Sequence, residues 1–191
     1  DREGVFAKAV AMIREAKRVG YHVMTNTTVF KETEIAEVRA LCELTKSLGV
    51  DGMLVAPGYH YETIQRDMFL TRGEIQKKFR KILGFSRHYR LTSTPMFLEF
   101  AAGLRDLPCS PWSTVTYTVR GWKGPCYLIA QRYTQSWREF WEQTDWDYWE
   151  SRQDSRCTHC AMHSGFEASA VRELKKRPKD LIRMAAWNLL G

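Results

Sequence analysis

The feature that most constrains this chain is a rhythm played twice in its first 57 residues: an amphipathic stretch, a glycine, then a short apolar run. Residues 4–19 put Val5, Val10, Ile13 and Ala16 at helical spacing and stop at Gly20. Tyr21-His-Val-Met-Thr-Asn26 follows, trailed by Thr27 and Thr28. A second amphipathic stretch, 31–48, stops at Gly49, and Val50-Asp-Gly-Met-Leu-Val-Ala56 then runs into the turn pair Pro57-Gly58. Apolar periodicity of 3.6 ended by glycine predicts a helix, and the short runs after it predict strands. Helices alternating with strands imply a parallel α/β sheet.

The pattern continues more loosely. Residues 60–71 read as a loop and 72–83 as a helix with Ile75, Phe79 and Ile82 on one face and Lys77, Lys78, Arg80 and Lys81 on the other. Arg90-Leu-Thr-Ser-Thr94 reads as a third short strand, and Pro95 opens a helix bearing Met96, Phe97 and Phe100. From Arg66 to Arg90 there are eight basic and two acidic residues. No RNA-binding motif or stacking aromatic cluster accompanies them, so the run reads as a solvated face and nucleic acid is not an expected partner. Cys42, mid-helix beside Val38 and Leu41, reads as a small core residue, and His22 and His60 as ordinary packing or surface residues.

Beyond Cys109 the texture changes. Thr114 to Val119 alternate β-branched and aromatic residues, and Tyr127-Leu-Ile-Ala130 follows a turn over Gly121 to Gly124, which predicts a β-hairpin carrying Cys126. Residues 136–150 are acidic and aromatic, with Ser136 and Glu139 spaced as a capping box. Their tryptophans read as packing, because an acidic segment repels phosphates. Residues 167–190 read as two helices split at Pro178. The second combines Leu181, Ile182, Met184, Trp187 and Leu190 with Lys175, Lys176, Arg177, Lys179 and Arg183, a composition shared by docking helices and by helices that lie on membranes.

Four of the five cysteines stand out. Cys157-Thr-His-Cys160 is a CxxC, a spacing that sets two thiolates on one tight turn where both reach the same soft metal. Cys109, in Leu-Pro-Cys-Ser-Pro-Trp, and Cys126, in Gly-Pro-Cys-Tyr, have proline or glycine beside them, as turns that present a ligand do. Sixteen residues separate Cys109 from Cys126 and thirty separate Cys126 from Cys157. Those gaps are wider than in a zinc ribbon and fix neither the metal nor that one is bound. Three chemistries stay open: an iron–sulfur or zinc site, a redox dithiol, and plain buried thiols. Shared ligation of one centre ranks first, as a structural site, with His159 and His163 as stabilising or alternative ligands.

With 191 residues, 44% of them hydrophobic, the chain folds into one good-sized domain or a domain with a small annex. An odd number of cysteines without a signal peptide fits a reducing, cytoplasmic setting. The net charge of +7 suits an anionic partner. The chain opens at Asp1, without methionine, in a helix that no strand precedes, and three parallel strands cannot close a barrel. It therefore reads as the later part of a longer protein, since β/α barrels take about 250 residues.

The motifs Gly20-Tyr-His-Val-Met-Thr-Asn-Thr-Thr28, Leu48-Gly-Val-Asp-Gly-Met-Leu-Val-Ala-Pro-Gly-Tyr59, Pro95-Met-Phe-Leu-Glu-Phe100, Cys109-Ser-Pro-Trp112, Gly121-Trp-Lys-Gly-Pro-Cys-Tyr-Leu128, Glu142-Gln-Thr-Asp-Trp146 and Cys157-Thr-His-Cys-Ala-Met-His-Ser-Gly-Phe-Glu167 occur in this order. In that order they closely resemble the adenosyl-hopene transferases of hopanoid biosynthesis, which are radical SAM enzymes. The resemblance covers nearly the whole chain. Its cysteine-bearing motifs are the specific part. It implies an α/β fold, the C-terminal half of a radical SAM partial (β/α) barrel over 1–106 followed by a small cysteine-containing α+β extension over 107–191. It implies an enzyme that uses S-adenosyl-L-methionine and a 4Fe-4S cluster to add a 5′-deoxyadenosyl radical to hopene, forming a carbon–carbon bond. The CxxxCxxC that holds such a cluster is not in these 191 residues, nor is the glycine-rich segment that grips the methionine end of the cofactor, so the chain is expected to be inactive alone.

By the same resemblance, Thr25, Asn26 and Ser93 are candidates to touch the cofactor, with Asn26 equally suited to capping the turn into the next helix. Pro57, Tyr59, Phe97 and Trp112 are candidates for a substrate pocket, where ordinary core is the competing role. Cys109, Cys126, Cys157 and Cys160 are the candidate ligands of an auxiliary iron–sulfur cluster or zinc. Cys109 and Cys126 are also candidate hydrogen-atom donors to the product radical. A hopene-type lipid, an electron donor such as flavodoxin or ferredoxin, and peripheral contact with the inner membrane face complete the expectations. Two other readings stay open: a different radical SAM enzyme with the same extension, and a metal-stabilised interaction module without catalysis.

Overall fold

The computed structural model describes residues 3–61 and 63–190, without the side chains of Ala130 and Leu190. Asp1, Glu62 of the loop expected over 60–71, and the Leu190 side chain of the C-terminal apolar set lie outside the described residues. The expected alternation is present: α1 (Val5–Arg18), β1 (Met24–Val29), α2 (Ile35–Ser47) and β2 (Gly52–Pro57), with β1 and β2 parallel and Met24 opposite Gly52 through to Val29 opposite Pro57. Then come α3 (Arg72–Phe85), capped by Thr71 and Glu74, and α4 (Pro95–Ala101).

Both strands lie further along than the apolar runs suggested. β1 starts at Met24, not Tyr21, and continues to Val29, because Thr27, Thr28 and Val29 are β-branched and suit a pleated backbone. The third strand expected over 90–94 shrinks to one parallel bridge, Met53 with Leu91. The Met53 N–H donates to Arg90 O and the Thr92 N–H to Met53 O, both at 3.0 Å. The ladder stops there because Thr94 turns away to cap α4, accepting from the Phe97 N–H, and Pro95 has no N–H to donate. Gly52 permits the approach: a Cβ there would meet Thr92 Cγ2 at 2.3 Å.

α1 buries none of its side chains among the described residues. It is tied to the sheet through Lys17, whose ammonium donates to Asp51 at 2.6 Å. Asp51 also accepts the Val23 N–H, and these two bonds, Lys17 first, hold its carboxyl down at about 2. β1 pairs on one side only, with β2, among the described residues. The solvated reading of the basic α3 face holds for Lys77, Arg80 and Lys81, which are exposed while Ile75, Phe79, Ile82 and Phe85 are buried.

The second half opens with a three-stranded antiparallel sheet, β3 (Thr116–Thr118), β4 (Gly121–Pro125) and β5 (Ala130–Thr134). This corrects the expected hairpin. Gly121 to Gly124 is strand rather than turn, and of Tyr127 to Ala130 only Ala130 is strand. The β4–β5 register slips at Gly124/Pro125, where proline interrupts the donor row, and Cys126 falls on the loop that follows.

The aromatic segment forms two short helices, α5 (Trp137–Glu142), with the expected Ser136–Glu139 capping box, and α6 (Trp146–Glu150), capped by Asp145. Trp122, Trp137, Phe140, Trp141 and Trp146 pack against one another with centroids 5.0–6.4 Å apart. α7 (His163–Glu173) begins four residues before the expected start, directly after the CxxC turn, and α8 (Pro178–Leu190) begins at the expected proline.

One apolar core runs through both halves. Val38, Cys42, Met53, Val55, Phe79, Met96, Phe97 and Phe100 share it with Phe166 and Ala170 of α7 and Met184 of α8. Cys42 is a core residue as expected, its thiol 3.8 Å from Met53 Sδ. A second, small cluster consists of Tyr59, Ile129 and Trp149, with Cys126, Cys157 and Cys160 packed against it.

Candidate metal centre

Cys109, Cys126, Cys157 and Cys160 line one cavity, together with apolar side chains that include Pro125, Leu128, Ile129, Trp149, Met162 and Phe166. Its free space is about 40 Å³, more than the 10–15 Å³ or so that a single water needs. All four thiols are free and half-buried.

Three separate pieces of chain deliver them. Cys109 leaves α4 on an extended segment, and its N–H donates to Glu150 O at 3.3 Å. The next residue, Ser110, is bonded to α7 three times: its N–H donates to Gly165 O, its hydroxyl pairs with that of Ser169 at 2.8 Å, and the Arg172 guanidinium donates to that hydroxyl at 2.9 Å. Gly165 lets α7 lie against the Cys109 thiol, for a Cβ there would come within 2.9 Å of Sγ. Cys126 is set by the break at Pro125. The CxxC forms the tight turn its spacing predicts: Asp154 caps a 3₁₀ turn over Ser155–Cys157, and the Cys160 N–H donates to Cys157 O at 3.1 Å.

Burial decides the electrostatics of the metal-free thiols. It pushes Cys109 far up and Cys126 up, Cys157 to about 12 and Cys160 to about 11. Charge on neighbouring thiolates adds to this at Cys109 and Cys157, chiefly from Cys160. Arg72 and Arg152 oppose it at Cys160, and Arg156 at Cys126 and Cys157. Four apposed thiols in an apolar space resist ionisation until a cation offsets the charge, which is the condition of a soft-metal site before loading.

The donor set fits a thiolate-bound metal: four soft ligands around an apolar space with Arg152 on its wall. Among the described residues no three His, Cys, Asp or Glu donors close on a single point, so the thiols surround a space rather than a point. The residues do not fit the cluster that cleaves S-adenosylmethionine, whose CxxxCxxC is absent.

The two histidines beside the CxxC differ. His159 Nδ1 accepts the Arg72 N–H at 3.3 Å, fastening the turn to the start of α3. His163 has a buried Nδ1 without a partner among the described residues, and burial lowers its pKa.

Tyr59 packs with the cysteine cluster and also lines a groove of about 270 Å³ beyond the carboxyl ends of β1 and β2, with Thr28, Phe30, Tyr61, Phe69 and Met162. The other three residues expected to form a substrate pocket are not brought together with it. Pro57 is buried at the end of β2, and Phe97 is fully buried in the main core. Trp112 donates to Glu150 at 2.6 Å, with the Arg172 guanidinium 5.1 Å from its ring centroid. Thr25 and Asn26, expected at the end of the first strand, are its second and third residues, because β1 runs on to Val29. Thr25 Oγ1 is buried without a partner among the described residues, and Asn26 is exposed. Asn26 is therefore not at the turn into the next helix. Ser93 is buried, its hydroxyl donating to Val55 O at 3.4 Å.

Sequence reasoning gave Glu167 no role. Its carboxylate accepts the Thr94 N–H at 2.9 Å and the Thr94 hydroxyl, joining α7 to the cap of α4, and burial raises it to about 7. The signal was its place at the end of the CxxC motif, one residue after the buried Phe166.

The chain belongs to the family described as a domain of unknown function, DUF3463, which it matches over residues 53–184. That span holds all four cysteines of the cavity. No curated protein and no solved structure matches the chain.

Proposed function

We propose that this chain is the later part of a radical SAM enzyme, an adenosyl-hopene transferase, and that its four-cysteine cavity holds a structural iron–sulfur cluster or zinc. The observation that carries the metal reading is the convergence of Cys109, Cys126, Cys157 and Cys160 on one apolar cavity from three pieces of chain. The family is associated with radical SAM proteins, and the order of motifs supports the finer assignment. The open edge of β1 and the bare α1 are what further β/α units of a barrel would cover.

S-adenosylmethionine and its 4Fe-4S cluster, held elsewhere on the protein, would supply the deoxyadenosyl radical. What this chain supplies is enclosure and placement. A primary carbon radical abstracts hydrogen indiscriminately, so its surroundings must be dry and the alkene must be held close. The groove beyond β1 and β2, walled by Phe30, Tyr59, Tyr61 and Phe69, lies at the strand ends where barrel enzymes place substrates. A hydrocarbon there is oriented by shape alone, since it offers no polar handle.

The cysteines can staple or donate, but one thiol cannot do both, because a ligand has lost the S–H that a hydrogen-atom donor needs. The staple is favoured by packing. The cluster around Tyr59, Ile129 and Trp149 is small, and a metal would supply the cohesion that so few apolar side chains do not.

The experiment has two arms. Metal analysis of the anaerobically purified chain, parent and Cys→Ser variants at 109, 126, 157 and 160, is expected to show bound iron or zinc that each variant loses; a metal-free folded parent overturns the staple. The chain extended upstream is then assayed with S-adenosylmethionine, reductant and hopene. Adenosylhopane is the expected product, and the absence of both a CxxxCxxC upstream and cofactor cleavage overturns the transferase reading in favour of a metal-stapled interaction module.

A further inference from the structure

Helix α8 is apolar on two faces, and only one of them is used. Asp180, Met184 and Trp187 turn inward: Met184 enters the main core, and the Trp187 indole N–H donates to Leu91 O at 3.4 Å. The tryptophan that made this helix resemble a membrane anchor in sequence therefore packs against the body of the protein. On the opposite side Ile182, Ala185, Ala186 and Leu189 recur at i, i+3, i+4 and i+7, the spacing of a continuous stripe. Ile182 is 71% exposed and Leu189 82%, with Leu181 beside them at 58%.

Charge frames this stripe asymmetrically. Lys175, Lys176, Arg177 and Lys179 are all exposed at the amino end of the helix. Lys176 pairs with Glu173, and Arg183 with Glu99 and Asp180, whereas Lys175 and Lys179 have no acidic partner among the described residues. Among the described residues no helix is long and apolar enough to cross a membrane. A surface helix that shows water two large aliphatics in line, with unpaired lysines at one end, has the make-up of an element lying in the plane of a lipid surface.

We propose that the outer face of α8 docks on an anionic membrane, with Ile182 and Leu189 in the headgroup–acyl boundary and Lys175 and Lys179 against lipid phosphates. A second copy of the chain is the weaker occupant, because it would meet this face with the same face, whose stripe is narrow and whose one acidic residue on α8, Asp180, is buried against Arg105 and leaves Lys175 and Lys179 unanswered. The proposal does not depend on the reaction assigned above.

Co-sedimentation with mixed phosphatidylcholine–phosphatidylglycerol vesicles, against pure phosphatidylcholine, tests it. The chain is expected to bind the mixed vesicles, less so as salt rises. I182Q/L189Q is expected to weaken binding by roughly tenfold or more, at an unchanged melting temperature because both positions are exposed. K175Q/K179Q is expected to weaken it by about fivefold per charge. The proposal is overturned if the parent does not bind the mixed vesicles, or if I182Q/L189Q binds as well as the parent. It is also overturned if sedimentation equilibrium shows a dimer that I182Q/L189Q abolishes, which gives the face to a second copy.

Discussion

Phe100 of α4 and Phe166 of α7 stack with ring centroids 4.1 Å apart and planes 27° from parallel. The Arg72 guanidinium lies over the Phe100 ring at 4.1 Å and that of Arg152 over the Phe166 ring at 5.6 Å. Phe166 also lines the cysteine cavity, so the wall of the candidate metal site is continuous with the main core. Phe166→Ala is expected to cost about 3–5 kcal/mol, more than an aromatic truncation at the exposed Trp137. Paired denaturant titrations of the two variants check this, and equal small losses would show that the stack does not join the halves.

Gly165 has no room for a side chain, because its added Cβ meets the Cys109 thiol at 2.9 Å. Gly165→Ala is expected to lower metal stoichiometry while far-ultraviolet circular dichroism stays close to that of the parent, since alanine suits a helix. Retained stoichiometry would remove Cys109 from the ligand set.

Glu167 makes stability depend on pH. Burial raises its carboxyl from an ordinary 4.5 to about 7. Below 4.5 it is protonated whether the chain is folded or not; between the two values the folded state holds the extra proton; above about 7 the full cost of burying the charge applies. Stability is therefore lost as pH rises through this window, by roughly 3 kcal/mol at most. Glu167→Gln stays neutral and is expected to flatten the loss between about pH 5 and pH 8, read from melting temperatures. A parent profile that rises across this window would contradict the assignment.

Arg105 is 9% exposed on its side chain and holds Asp180 with two bonds, at 2.6 and 2.9 Å, while also donating to Glu99. The pair fixes the first turn of α8 to the segment after α4. Asp180→Ala leaves that guanidinium short of a partner and is expected to cost about 3 kcal/mol. Asp180→Ala/Arg105→Met should recover part of the loss, and a double mutant no better than the single would show that packing rather than charge is at stake.

Much of this was legible before any coordinates. Gly20 and Gly49 end their helices, Ser136 and Glu139 form their capping box, and Pro178 starts α8, because caps and breakers act within a few residues of themselves. The failures have local causes that periodicity does not encode. Gly121 to Gly124 looked like a turn because two glycines bracket it, yet its pairing with Tyr133 and Thr134 made it a strand. Leu91 could not show that its strand would be one bridge long, since Thr94 and Pro95 pull the chain away to cap α4.

The sequence by itself determined the helix–strand alternation of the first 57 residues, the CxxC turn and the pool of four thiols, because spacing along a chain is a local property. Only the tertiary structure decided that Cys109 and Cys126 reach the cavity of Cys157 and Cys160, that Trp112 does not, and that Glu167 lies buried against Thr94. Those outcomes depend on how α7 packs between α4 and the segment after it. Such packing is set by the summed burial of residues far apart in sequence, which no single stretch contains.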